Sequence, residues 1–190
     1  MSDIRDSRRA AIAHAACVEF GTHGYERANI AAIAKRAGIG KSTIYEYYPS
    51  KEALLGAVGE WAFETAAERI HKVLAPDVDF RSMAHQYIEV MRDIIRHTGA
   101  GMVMLHSDGR AFAIIRAYAN RFRDFIVSNL ESAVVRAQQR GEIARDIDAH
   151  AAASLVAVLS GPILSVDDAD WERNIALMED VLFRGLDPRT

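Results

Sequence analysis

The side chains best suited to specific chemistry are hydroxyl and phenol groups that share one short segment, residues 41–48. On a helical wheel at about 100° per residue, Ile44 and Tyr48 define the inward side of this segment. Polar side chains then occupy the outward face and its flanks: Ser42, Thr43, Tyr45, Glu46 and Tyr47. Short polar groups of this kind hydrogen-bond the base edges and phosphates of DNA. The segment therefore has the chemistry of a recognition surface.

Two short helices joined by a tight turn are predicted to position this surface. Asn29 is suited to cap the first of them, and Gly38 can adopt the left-handed conformation that ends it. Apolar residues recur at helical spacing along the first of these helices: Ile30, Ile33, Ala34 and Ala37. Ala34 is small where the helices meet, and Ile39 and Ile44 can join Ile33 in a shared core. Residues 29–48 thus have the pattern of a helix-turn-helix.

The rest of the chain also follows the helical period. A first helix is predicted over residues 4–22, and Ser50 can cap a fourth that ends near Leu74, before Pro76. Further helices are predicted at roughly 80–97, 101–106, 109–139, 147–165 and 168–185. Sustained strand alternation is lacking. The fold is therefore predicted to be all-α.

The helix-turn-helix and its continuation, Pro49-Ser-Lys-Glu-Ala-Leu-Leu55, closely resemble the TetR family signature over residues 8–55. Beyond it, the chain is similar to the family in helix order and in the segment Arg140–Asp148. The resemblance implies a three-helix DNA-binding domain at residues 1–50. It also implies a helical effector-binding and dimerisation domain at residues 51–190.

The resemblance further implies roles for individual residues. Asn29 would cap the second helix against a phosphate. Four side chains would reach the major groove: Lys41, Ser42, Thr43 and Tyr47. Two would hold the DNA backbone: Tyr45 and Lys51. We prefer DNA contact to core packing for Tyr45 and Tyr47, because their hydroxyls need partners and the wheel places them at the flanks.

Glu46 has two interpretations, because a carboxylate near phosphates is repelled unless it accepts a hydrogen bond. It could accept one from a cytosine amino group. It could equally be a solvated side chain paired with Arg36 or Lys41. We therefore leave Glu46 out of the predicted base-reading set.

Charge is distributed unevenly along the 190 residues, whose formal net charge is −3. Residues 1–55 carry 8 Lys and Arg against 6 Asp and Glu, whereas residues 56–190 carry 15 against 20. Any DNA-binding surface therefore belongs at the N-terminal end.

Apolar side chains in the middle and C-terminal parts of the chain predict a pocket and an interface. Flexible and aromatic residues between helices are typical of a binding site for an apolar effector, and the predicted lining is Trp61, Tyr87, Met91, Met102, Phe112 and Tyr118. Two long helices carry apolar faces that a second copy could cover as a four-helix bundle. The predicted contacts are Leu155, Val158, Leu159, Ile175, Met178 and Leu182.

Other classes of function find little support. The sequence has no nucleophile elbow, phosphate-binding glycine loop or HExxH motif, so we expect no catalytic residues and no cofactor. His85 and Glu89 have a metal-ligand spacing but no second motif, so we expect no metal. Cys17 lies on an apolar helical face and is predicted to be core. Because the chain has neither a signal region nor a membrane span, we expect a cytoplasmic protein without membrane contact.

The sequence thus predicts a ligand-responsive transcriptional regulator. We expect a homodimeric repressor that binds a palindromic operator in double-stranded DNA and is released by a small apolar or amphipathic effector. One alternative is a DNA-binding regulator without an effector. The other is an all-α enzyme with an incidental helix-turn-helix, which no motif supports.

Overall fold

The computed structural model of the chain describes residues 2–74, 78–98 and 109–163, together with most positions between 173 and 184. These residues form helices connected by short turns, and no strand occurs among them. The helices are α1 (Ser2–His23), α2 (Ile30–Arg36), α3 (Lys41–Tyr47), α4 (Lys51–Val73), α5 (Phe80–Thr98), α6 (Gly109–Arg140) and α7 (Ala149–Ile163). The described positions from 173 to 184 are helical as well. The predicted all-α class is confirmed, and the helix predicted at 101–106 lies outside the described residues.

The chain divides into two compact units. The first comprises Met1–Ala66 and Ile94–Arg121, and the second comprises Ala67–Asp93 and Phe122–Thr190. Three helices, α4, α5 and α6, contribute residues to both units. The functional division that the sequence predicts at residue 50 stays a prediction.

The core of the first unit is built on α1. Ile12, Cys17 and Phe20 are fully buried there, together with Ile33 of α2 and Ile44 of α3. Burial raises the pKa of the Cys17 thiol to about 12, which keeps the thiol protonated at neutral pH. Cys17 is therefore a core residue, as the sequence predicts.

The start of α4 is set by a side-chain cap. Ser50 Oγ accepts a hydrogen bond from the Ala53 amide at 3.1 Å, which satisfies one of the unpaired donors of the first turn. Leu54 and Leu55 then enter the core of the first unit. The predicted capping role of Ser50 is confirmed.

A glycine allows α6 to approach α4 closely within the first unit. A Cβ atom on Gly59 would lie 2.6 Å from Cγ of Tyr118, so the ring occupies the space that any other side chain would need. The Tyr118 hydroxyl also hydrogen-bonds Glu60, and the Arg121 guanidinium pairs with both oxygens of that carboxylate at 2.9 Å. This helix pair is therefore held by a ring contact and by a charged hydrogen-bonded cluster.

In the second unit, polar contacts centred on Glu142 join the end of α6 to the start of α5, and we call this set of contacts the clasp. Gly141 adopts φ +77°, and beyond it the Glu142 carboxylate accepts a hydrogen bond from the Phe80 amide at 2.7 Å. Arg140 pairs with the same carboxylate. Gln138 donates to the carbonyls of Ala144 and Ile147, closing the turn before α7. The segment that resembles the family is thus a hydrogen-bonded turn that joins α6, α7 and the start of α5.

The described helices include none that is long and apolar enough to cross a membrane. Within the same residues, histidine, cysteine and carboxylate side chains nowhere gather in a group of three that could hold a metal ion.

Candidate nucleic-acid interface

The first helix of the helix-turn-helix begins at a double hydrogen bond on Asn29. This residue has extended backbone, with φ −105° and ψ 117°, and its side chain accepts from the Ala31 amide at 2.8 Å. Its own amide donates to the buried carboxylate of Glu19 at 3.1 Å. The predicted cap is confirmed, and α1 holds it from behind.

The turn between α2 and α3 depends on one left-handed residue. Gly38 adopts φ +68°, a conformation that costs other residues energy because of their Cβ atoms. The Ile39 amide then donates to the Ala34 carbonyl at 3.0 Å, which satisfies a carbonyl at the end of α2. The chain is thereby redirected within three residues, so that α3 packs against α2.

The short helix α3 has one buried side and one open side. Ile44 is 1% exposed and anchors the helix in the core. The solvent-facing side carries polar groups, which are exposed at Lys41, Ser42, Tyr45 and Glu46 and half-buried at Thr43 and Tyr47. The arrangement predicted from the helical wheel is therefore present in the structure, whereas contact of these residues with DNA stays a prediction.

Tyr48 packs partly into the protein, as the wheel predicts. Its hydroxyl donates to the Arg9 carbonyl at 3.4 Å, a long hydrogen bond. Burial raises the pKa of Tyr48 and nearby Arg9 partly opposes that rise. Tyr48 therefore joins α1 to the end of α3.

Basic side chains at the start of α1 lie beside α3, a feature that the sequence reasoning did not include. The Arg5 guanidinium sits 5.9 Å from the centre of the Tyr47 ring. Arg8 and Arg9 are exposed on the same helix. The signal was present in the cluster of arginines at 5, 8 and 9, but helical periodicity alone does not show which element lies next to α1.

Lys51 has protein partners at the first turn of α4. Its Nζ donates to the carbonyls of Glu26 at 3.1 Å and Ala28 at 3.0 Å. The same ammonium lies 4.9 Å from the centre of the Tyr25 ring. Tyr25 in turn hydrogen-bonds Glu52, and burial, together with this carboxylate, raises the pKa of Tyr25 to about 12. Lys51 thus contacts the turn that precedes α2.

The fold of the helix-turn-helix agrees with comparisons to known proteins. The family model described as bacterial regulatory proteins, tetR family, matches residues 12–58, which contain α2, α3 and the start of α4. Over this segment the chain is similar to the TetR family of bacterial regulatory proteins.

The chain is similar to known transcriptional regulators beyond the helix-turn-helix as well. It is 31% identical over 97 residues to the transcriptional activator FasR of Mycolicibacterium smegmatis, and the match covers 51% of this chain but 44% of FasR. It is 27% identical over 176 residues to the transcriptional regulator UidR of Escherichia coli K12, covering 85% of this chain and 82% of UidR. The solved structure of a SmeT–triclosan complex is 21% identical, with a TM-score of 0.73 over 94% of this chain and 91% of that one. This last likeness shows a shared fold.

The predicted effector-lining residues have different environments. In the first unit Trp61 lies against His14, with ring centres 5.2 Å apart, and Phe112 is half exposed. Tyr118 packs on Gly59. In the second unit Tyr87 and Met91 are buried, and Met102 lies outside the described residues. The pocket remains a prediction.

The predicted interface residues separate into exposed and buried positions. On α7, Leu155 is 50% exposed and Val158 is 65% exposed. Ile175 is 4% exposed within the single chain, so it is not available to a second copy. Its neighbours Leu177 and Val181 are each 61% exposed instead. Met178, Leu182 and the side chain of Leu159 lie outside what the structure describes.

Proposed function

We propose that this regulator binds operator DNA as a homodimer, with α3 of each copy in the major groove, and represses transcription until a small effector releases it. The observation that carries the proposal is the open polar face of α3, supported from beneath by buried Ile44. A helix presented in this way fits a major groove, where side chains can read base edges directly.

Individual side chains are proposed to divide this task. Ser42, Thr43 and Tyr47 supply hydrogen bonds to base edges, and Lys41 adds a positive charge near them. Asn29 and Tyr45 hold the DNA backbone, and the neighbouring position of Arg5 adds a further cation to the same face. Contacts to phosphate set the affinity and contacts to bases set the preference among sequences.

A selection from randomised duplexes tests this proposal. The unmutated protein should enrich a palindromic sequence, because two identical reading heads face two half-sites. Thr43→Ala should alter the preferred bases, whereas Ser132→Ala should leave them unchanged, since it removes an exposed hydroxyl from α6 in the second unit. Failure to enrich any sequence would contradict the proposed function.

The effector is proposed to be small and apolar or amphipathic. SmeT, which shares this fold, has been solved with triclosan, a compound of that class. If effector and operator oppose each other by the usual coupling of about 1–3 kcal/mol, operator DNA must weaken effector binding by the same factor. Calorimetric titration of a compound identified by thermal-shift screening, into free and operator-bound protein, measures this coupling. Equal affinities would favour the alternative of a regulator that responds without an effector.

A further inference from the structure

The segment between α1 and α2 is held from both sides by charged groups. From the α1 side, the Glu19 carboxylate accepts a hydrogen bond from the Asn29 amide at 3.1 Å. From the α4 side, Lys51 donates to the carbonyls of Glu26 and Ala28. Residues 26–29, which lead directly into α2, are therefore fixed by one anion and one cation.

The ammonium of Lys51 is committed mainly to these protein groups. An ammonium has three donor hydrogens, and two of them are directed at carbonyl oxygens 3.1 and 3.0 Å away. The Tyr25 ring lies 4.9 Å from Nζ, at a distance typical of cation–π attraction. Turning Nζ toward a phosphate would break both of these hydrogen bonds, so a phosphate contact would have to offset their loss.

The residue after Lys51 reinforces the same contact. Glu52 accepts a hydrogen bond from the hydroxyl of Tyr25, whose ring also packs on Phe20 with centres 5.5 Å apart. The first turn of α4 thus contacts the segment between α1 and α2 through two consecutive side chains, Lys51 and Glu52. Because α3 packs on α2, fixing the start of α2 also fixes the reading face.

We propose that Lys51 is a positioning residue for the helix-turn-helix, which acts on DNA affinity through residues 26–29 and not by binding a phosphate. This inference rests on the proposed DNA-binding function. It replaces the phosphate contact that the resemblance implies for Lys51. Loss of the ammonium should loosen α2 and α3, so that DNA binding must then order them at a cost in affinity.

The salt dependence of binding separates the two roles. Lys51→Met keeps the length and apolar stem but removes the charge and donors. We expect it to weaken binding to the enriched duplex about tenfold, equivalent to about 1.4 kcal/mol, without changing the slope of log K against log salt. The matched variant Lys41→Met removes an exposed lysine at the start of α3. It should make the slope less negative by about 1.8 in a dimer, the value for two lost phosphate contacts.

A spectroscopic readout and a conservative variant exclude mere loss of stability. The amide resonance of Ala31, bonded to the Asn29 side chain, should shift in Lys51→Met and stay in place in Lys41→Met. Lys51→Arg should restore most of the affinity, because a guanidinium can donate to both carbonyls and stack on Tyr25. If Lys51→Met does not fold, Lys51→Gln retains an N–H donor group without the charge and should show the same unchanged slope.

Three results would overturn the inference. They are a slope that changes by about 1.8 in Lys51→Met or Lys51→Gln, an unchanged affinity, and an Ala31 resonance that does not move. Each leaves the proposed function intact, because the unmutated protein still binds. Absence of a preferred duplex for the unmutated protein would instead contradict the proposed function itself.

Discussion

At the scale of single residues, two glycines on one helix offer a matched test of the packing between α4 and α6. A Cβ on Gly59 would lie 2.6 Å from Cγ of Tyr118, whereas a Cβ on Gly56 would meet the Tyr118 hydroxyl at 3.7 Å, an ordinary contact. Gly59→Ala must therefore displace the base of the ring, for which overpacking costs of about 1–3 kcal/mol are typical. Gly56→Ala should gain up to about 1 kcal/mol of helix propensity.

Thermal and urea unfolding of the two alanine variants measure this difference. We expect Gly59→Ala to lower the free energy of unfolding and Gly56→Ala to maintain or raise it. Equal effects of the two substitutions would show that Tyr118 does not occupy the position described.

Single-residue features were predictable from the sequence where they depend on neighbouring positions. Asn29, Gly38 and Ser50 were predicted correctly because a cap or a left-handed residue depends on neighbours within a few positions. The partners of Lys51 were not predicted, because Glu26 and Ala28 are more than twenty positions away and present backbone carbonyls. A carbonyl carries no side-chain signal in the sequence.

At the scale of elements, the clasp between α6 and the start of α5 should make stability depend on pH. Hydrogen bonding to Arg140, aided by the Phe80 amide, lowers the pKa of Glu142 from its ordinary value of 4.5. A carboxyl with a lowered folded-state pKa stabilises the protein above its unfolded-state pKa, and this contribution is lost as pH falls through the folded-state value. We therefore expect stability to decline from about pH 4.5 downward.

Urea unfolding of Glu142→Gln across this pH range isolates the contribution of the clasp. The variant should be less stable than the unmutated protein at neutral pH and should approach it at acidic pH. A constant difference between the two proteins from neutral to acidic pH would contradict this role for the Glu142 carboxylate.

The ends of the helices were largely predictable from the sequence. Which neighbour covers each apolar helix face was not. The helical period and the breakers Gly38 and Gly141 located the ends of α2 and α6, because backbone conformation is a local property. The period also made Ile175 a candidate for the interface. Ile175 is buried in its own chain and Leu177 is exposed, since an apolar stripe does not show whether a neighbouring helix or a second copy covers it.

At the scale of the whole molecule, exposed apolar residues of the second unit predict a dimer. Leu155 and Val158 lie three residues apart on α7, and Leu177 and Val181 lie four apart near the C-terminus, so each pair shares one helix face. Val158→Asp and Leu177→Asp would place an unpaired charge in an interface formed by these faces. We expect monomers in sedimentation velocity, with Ser128→Asp, an exposed position on α6, remaining dimeric.

An unmutated protein that sediments as a monomer at micromolar concentration would rule out the dimer. Unchanged dimers in both aspartate variants would show that other residues form the interface.

The central claim, that the open face of α3 binds DNA, is tested most directly by the affinity for the enriched duplex as a function of salt. If the dimer neutralises on the order of six phosphates, log K should fall against log salt with a slope of about −5, and an unrelated duplex should bind much more weakly at every salt concentration. Equal affinity for the two duplexes, or binding that does not respond to salt, would contradict the account.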